Sequence, residues 1–414
     1  MRRLILLLAA CASAPAAQAE TVDQAIAAAV ARDPDLAAAA AERDAAKARV
    51  SQARAAEGPT VSASGSIGIG YLDPRGFFGI PAEGVVPRSA QVTAEMPVFT
   101  GGRLPAGRAQ AIAGLAIGNA ALAARQRQLE LDVASAYANV YAARKSRDAA
   151  AYSATQLAES ERQAELLFRA GETARTEYLQ AQSRRAEAQA AAAHAEGELQ
   201  SAAARFQSLT GLQATSVDES PAAPAAPRSR DEAVRTAVAG NPAIVQADAA
   251  VTAAQAAMRS ARAGRAPTLA AFAEGSSIRD QFFPDYKADA VTAGVRGRWT
   301  FFDSGHTRSK VAEATAGLRS AEARALSARR DVQVQTVVAW EGFHSAQAQR
   351  SAAERQRVAA QAALRDARLE FKAGAKPLLA VLEAERDAVA AEASVARSDG
   401  EVARAAWRLH ILTR

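Results

Sequence analysis

One stretch of this sequence occurs twice, and it limits the possible folds more than any other feature. The first copy is Phe168-Arg169-Ala170-Gly171, then six residues, then Tyr178-Leu179-Gln180-Ala181-Gln182. The second is Phe371-Lys372-Ala373-Gly374, then six residues, then Val381-Leu382-Glu383-Ala384-Glu385, at an offset of 203. Each copy lies between two long alanine-rich helical patterns. Glycine closes such a pattern because it takes the left-handed conformation cheaply, and Pro377 suits the first turn of the helix that follows. Both stretches are therefore predicted to be tips of helical hairpins, at about 169–176 and about 372–377. Phe99-Thr100-Gly101-Gly102-Arg103 and Phe302-Asp303-Ser304-Gly305-His306 repeat at the same offset of 203, and Asp33-Pro34 and Asn241-Pro242 at 208. A period this long means two domain-sized copies, not a solenoid. The halves are 20–212 and 229–414, joined by a linker at 213–228 that carries Pro221, Pro224 and Pro227.

Alanine dominates the 49% apolar content. It is the best helix former and lets helices approach closely, so long, thin, closely packed helices are expected. The runs 104–169 and 306–371 would each reach about 100 Å at 1.5 Å per residue. The net charge of +6 is spread over 94 charged side chains. That is a mixed surface with no basic patch interleaved with aromatics, and it gives no sign of a nucleic-acid partner. Residues 1–19 read as a secretory signal: Arg2-Arg3, the apolar run 4–10, and Ala17-Gln18-Ala19 as the cleavage site. Cys11, the only cysteine, also fits a lipidation box, but an export signal of ten residues is very short, so cleavage before Glu20 is expected to remove it.

Between the helices the period changes. Residues 60–72 alternate small or apolar with polar, and 89–99 do the same. Strict alternation marks a strand with one apolar and one polar face, and about 9–11 residues suffice to cross a membrane. Residues 73–87 would be the loop between these strands. The second half repeats the pattern at about 267–277, where alternation is poor, and 288–302, where it is clear. Arg296 and Arg298 fall on the polar face, which suits a lumen and would be costly against lipid. Of 21 aromatics, eleven fall within 71–99 and 272–302, as interfacial belts do. Four strands per chain cannot close a barrel, and open edges are not tolerated in lipid. If these strands span, the chain must oligomerise.

Catalytic chemistry has no residues to rest on. The histidines 194, 306, 344 and 410 are far apart with no ligand spacing, no phosphate loop or nucleophile elbow is present, and no enzyme, cofactor or metal site is expected. Glu-Arg neighbours such as Glu161-Arg162 are expected on solvated helix faces.

The order in each half is short helix, helix, strand, loop, strand, long helix, glycine tip, long helix. With the duplicated F-x-A-G tips and the strand-to-helix joints at 97–102 and 301–305, it resembles the TolC-type outer-membrane efflux proteins over residues 21–412. The resemblance implies a mostly α fold with a small membrane β part. A homotrimer would form a 12-stranded β-barrel in the outer membrane of a Gram-negative cell, continuing into an α-helical coiled-coil tunnel in the periplasm. It implies passive conduction, in efflux or type I secretion, from a periplasmic adaptor (a membrane fusion protein) and an inner-membrane transporter. It also implies a constriction at the tips. The family's two aspartates fall on Ala380 and Glu383, so Glu383 would keep one charge ring. The gate-linking arginine falls on Lys376, its partners on Thr176 and Glu177, and a tip aromatic on Phe371. Arg169, Ala170, Gly171, Lys372, Ala373 and Gly374 would dock the adaptor. The competing expectation is a periplasmic or secreted coiled-coil rod without a channel.

Overall fold

The short helices that open each repeat start at side chains that the sequence places one residue ahead. In a computed structural model, which describes residues 21–73, 83–214, 217, 223–281 and 285–414, helix α1 (Val22–Val30) opens on a capping box. The Gln24 amide donates to Thr21 Oγ1 and the Thr21 amide to Gln24 Oε1, both at 3.3 Å. Helix α2 (Pro34–Ala55) follows at once; Asp33 Oδ1 accepts from the Leu36 amide at 2.6 Å, and Pro34 loses nothing at the first position. The remaining order is β1 (Thr60–Ile67), β2 (Gly70–Leu72), β3 (Glu83–Val85), β4 (Arg88–Phe99), α3 (Arg103–Arg169), α4 (Arg175–Thr210), α5 (Arg230–Gly240), α6 (Pro242–Ala263), β5 (Thr268–Arg279), β6 (Lys287–Arg298), α7 (His306–Lys372) and α8 (Leu378–Thr413). The signal stretch 1–19 with Cys11, most of the loop expected at 73–87, and Pro221 of the linker lie outside the described residues.

The described chain forms two compact units, and each takes segments from both sequence repeats. The first holds the described residues up to Ala38, Ala123–Asn241 and Arg330–Arg414. Its core centres on Leu129, Val133, Tyr137, Val140, Phe206 and Trp407, with the Tyr137 and Phe206 rings edge-on at 6.2 Å. Val217 of the linker is fully buried in this core, and Arg144 donates to the Ala214 carbonyl at 2.9 Å. This part of the linker is thus docked and does more than span a gap. His410, at the end of α8, has its pKa lowered by burial and by the neighbouring Arg414.

The second unit is Ala39–Leu122 with Pro242–Arg329. Its helical part packs mainly through alanine. Ala106, Ala113 and Ala120 on α3 and Ala249, Ala256 and Ala263 on α6 are all buried. Their seven-residue spacing is a coiled-coil seam. In the first unit, Ala181, Ala188 and Ala195 on α4 and Val332, Ala339, Ala346 and Ala353 on α7 keep the same spacing. An alanine seam sets the helices at the short end of the usual 8–10 Å separation. Gly118 brings α3 closer still to α2: a Cβ there would lie 3.4 Å from the Arg43 Cα.

The second unit also contains a four-stranded antiparallel sheet ordered β1-β4-β5-β6. The register puts every alternating apolar set on one face. Ala63 pairs with Val92, Val92 with Gly275, and Gly275 with Val291; Val61, Ala94, Ala273 and Ala293 form the next row. Ser62, Ser64, Gln91, Thr93, Glu274 and Thr292 lie on the other face. At one end of the apolar face Arg88, Arg279 and Lys287 are paired in register. At the other end Phe99, Trp299, Phe301 and Phe302 are exposed, and Trp299 donates to the Arg265 carbonyl at 3.2 Å.

Two expected strand limits need correction. The strand read at 60–72 stops at Ile67. Its ladder partner β4 begins at Arg88, and the residue before it is Pro87, which has no N–H to continue the ladder. Gly68 donates to the Pro87 carbonyl instead, at 3.0 Å. Gly70–Leu72 then pairs with Glu83–Val85, inside the expected loop, as a separate ribbon. The strand read at 288–302 stops at Arg298, opposite Thr268. Pro267, just before Thr268, ends that ladder for the same reason.

Candidate functional site

Both hairpin tips are built by the same backbone device. In the first, Gly171 has φ +77°; the Glu172 amide donates to the Leu167 carbonyl at 2.9 Å and the Gly171 amide to the Phe168 carbonyl at 3.0 Å. In the second, Gly374 has φ +73°; the Ala375 amide donates to the Glu370 carbonyl at 2.8 Å and the Gly374 amide to the Phe371 carbonyl at 2.9 Å. This pair of bonds is the Schellman motif, and it satisfies the last carbonyls of the long helix. The return helices start without a side-chain cap, at Ala174 and Pro377. Pro377 therefore stands one position earlier than expected, as the cap itself. A Cβ built on either tip glycine meets no atom within 4 Å, so conformation and not crowding requires glycine there.

Below the tips the two hairpins share a core of Leu157, Ala164, Ala181, Ala367, Leu378, Val381 and Leu382, with Phe371 packed against it. Phe168 and Tyr178 stack across the first hairpin with centroids 5.9 Å apart and planes 3° from parallel. Arg169, Ala170, Gly171, Lys372, Ala373 and Gly374 are all exposed at the ends. Glu383 is exposed on α8, with Ala380 half-buried one turn earlier.

Within the chain, Lys376 and Glu177 are not brought together. Lys376 Nζ sits 2.7 Å from Glu370 Oε2 in its own hairpin. Glu177 Oε2 accepts from Thr173 Oγ1 at 2.6 Å, and Thr176 is exposed. Each charge has a partner within six residues. Such local pairs form with little ordering cost.

Three buried carboxylates escaped the sequence reading; Glu130, 5% exposed, accepts from Arg414 at 2.9 Å, and the other two lie below the tips. Glu385 is 3% exposed and its Oε2 accepts from Arg368 of α7 at 2.6 Å; Arg368 also donates to Gln156 of α3 at 3.3 Å. Glu161 is 8% exposed and accepts from Arg185 of α4 at 2.7 Å. Glu161 was expected on a solvated face beside Arg162. Only Arg162 is there, paired with Glu159. The signal was present: Leu378, Val381, Leu382, Glu385 and Ala388 form one buried stripe, as do Leu157, Glu161 and Ala164, with the spacing of one helix face. A carboxylate inside such a stripe must be paired.

Among the described residues, no helix is long and apolar enough to cross a membrane, and no three His, Cys, Asp or Glu side chains gather as a metal site. Similarity to known proteins points the same way as the geometry. The outer membrane efflux protein BepC of Brucella suis biovar 1 (strain 1330) is 26% identical over 277 residues, 66% of this chain and 60% of that protein. The match thus spans under two thirds of that relative. The outer membrane protein VceC of Vibrio cholerae shares the fold with a TM-score of 0.81 at 18% identity, over 95% of this chain and 96% of VceC. The open state of the Neisseria gonorrhoeae outer membrane channel MtrE does so at 0.79 and 19%, over 95% and 89%. The sequence model of the outer membrane efflux proteins matches residues 25–212 and 233–413, one stretch in each repeat, and the chain belongs to that family.

Proposed function

We propose that this protein is the outer-membrane exit duct of a tripartite efflux system. It would conduct solutes passively from a periplasmic adaptor and an inner-membrane transporter to the exterior. One observation carries the reading: an apolar face runs unbroken across β1, β4, β5 and β6, bounded by charge at one end and aromatics at the other. Val291, Ile67 and Val61 on it are 90%, 74% and 73% exposed. An apolar surface of this extent marks contact with a partner or with lipid. The sheet order leaves β1 and β6 with one unpaired edge each. Joining β6 of one copy to β1 of the next removes every edge when three copies close a 12-stranded ring, and closure is what lipid demands. Family membership supports this assembly, and the homotrimer is part of the proposal. Nothing in the chemistry of the tips performs a reaction.

The hairpin tips are the proposed constriction and docking surface. Glu383, exposed near the start of α8, would form a ring of three carboxylates that favours cations. Lys376 would hold the closed state through Glu177 after exchanging its present partner Glu370, with Thr176 and Phe371 alongside. The exposed Arg169-Ala170-Gly171 and Lys372-Ala373-Gly374 would meet the adaptor. In planar bilayers the purified protein should give a small, cation-selective conductance. Glu383→Gln should shift the reversal potential towards zero in a salt gradient; an unchanged potential removes the acidic ring. Lys376→Ala should raise the open fraction severalfold, and an unaltered open fraction with unaltered conductance would remove the gate link.

A further inference from the structure

The polar face of the sheet carries four charged side chains, and they are not paired with one another. On β5, Glu274 accepts from Gln91 Nε2 of β4 at 2.7 Å. On β4, Glu95 lies in register with Phe272. Arg296 and Arg298 of β6 are both exposed, and among the described residues neither has a carboxylate partner within ion-pair distance. They are two residues apart and so share a face, about 7 Å from each other along the strand. That is within a Debye length of about 8 Å at physiological salt. The register sets Glu95 two strands across and Glu274 four residues along, each more than about 10 Å away by strand geometry. The two guanidinium groups therefore act together, and the carboxylates screen them weakly.

Arg296 is also held in place. Its guanidinium carbon lies 4.5 Å from the centroid of the Phe272 ring. Phe272 faces Gly294 in register, where a Cβ would come 3.3 Å from Phe272 Cε1. The missing side chain lets the ring lie against the sheet, and the ring supports the guanidinium. A stacked guanidinium keeps its N–H edge free for bidentate contact with a carboxylate or phosphate. The repeat shows that this is no shared framework feature, since positions 93 and 95 of the first half hold Thr93 and Glu95 where the second half has Arg296 and Arg298.

We propose that Arg296, Arg298 and Phe272 form a binding station for multiply charged organic anions, bearing phosphate or carboxylate groups, on the lumen wall of the barrel. The inference rests on the duct reading, in which the polar face lines the lumen and three copies supply three stations. Inositol hexakisphosphate serves as the probe, titrated calorimetrically into the detergent-solubilised full-length protein at physiological salt. The wild type should bind it, and Arg296→Gln/Arg298→Gln should bind roughly tenfold more weakly. The double lysine variant should fall between them, since it keeps charge and loses the fork. In bilayers the probe should reduce the wild-type current and spare the glutamine variant. Equal affinity and equal block in wild type and glutamine variant, with conductance intact, would overturn the station and leave the duct standing. Failure of the wild type to reach the outer membrane at all would overturn the duct, and the station with it.

Discussion

At the scale of single residues, the first-unit helices are tied together by carboxylates that the seams bury. Glu385 has a side chain only 4% exposed, while its partner Arg368 is 38% exposed. The second oxygen, Glu385 Oε1, is buried without a partner among the described residues. Arg368 is therefore the group that makes this carboxylate tolerable. Arg368→Ala leaves an uncompensated buried charge, a class of change that costs about 3–5 kcal/mol, and partial exposure of the pair puts the expectation at the lower end. Chemical unfolding should show the midpoint falling for Arg368→Ala. The double change Arg368→Leu/Glu385→Leu should recover much of the loss, because it removes both charges. A single variant as stable as the wild type would show that water reaches the carboxylate. These residues were readable as buried from their spacing, but the sequence does not say which arginine answers which glutamate. In the first hairpin the acid is on the outgoing helix (Glu161) and the arginine on the return (Arg185); in the second the order is reversed.

Elements are where the sequence was most legible, because their ends are written in local chemistry. The tip glycines and the alanine-rich helical runs could be read without knowing any neighbour, whereas the alanine heptads and the caps Thr21, Asp33 and Ser229 are seen in the structure. Asp303 belongs with those caps: it accepts from the Thr307 amide at 2.8 Å and the Gly305 amide at 3.1 Å, and the Thr307 hydroxyl together with these amides holds its pKa below its ordinary value. Strand ends were harder to read, since Pro87 and Pro267 stop the ladders of strands across from them. The glycines separate two causes that the sequence shows alike. Gly374 has a positive φ in open space, so Gly374→Ala should cost about 1 kcal/mol of conformational strain. Gly101 has φ +61°, and a Cβ there would lie 2.5 Å from the Ala266 Cβ and 2.8 Å from the Ala263 carbonyl oxygen. Gly101→Ala should therefore lower Tm by clearly more than Gly374→Ala. Equal shifts would mean that the joint between β4 and α3 yields to a side chain more readily than its geometry implies.

For the whole molecule, the repeat is a unit of sequence and not of packing. Each compact unit draws segments from both halves, and the sheet itself is shared between them: the adjacent strands β1 and β4 come from the first repeat, β5 and β6 from the second. That the four strands would share one apolar face was legible from three clear alternations. The fourth was blurred because β5 puts Ala270 and Phe272 on the polar face, and register with β4 and β6 settles its orientation. The central claim is that this sheet crosses the outer membrane with its apolar face outward. It is tested most directly by single-cysteine variants in a Cys11→Ser background, at Val92, Thr93, Val291 and Thr292, labelled in isolated outer membranes. Val92→Cys and Val291→Cys should react with a lipid-soluble maleimide and resist a membrane-impermeant one, and Thr93→Cys and Thr292→Cys should do the reverse. Equal reaction of all four positions with the impermeant reagent would place the sheet in water and contradict the account.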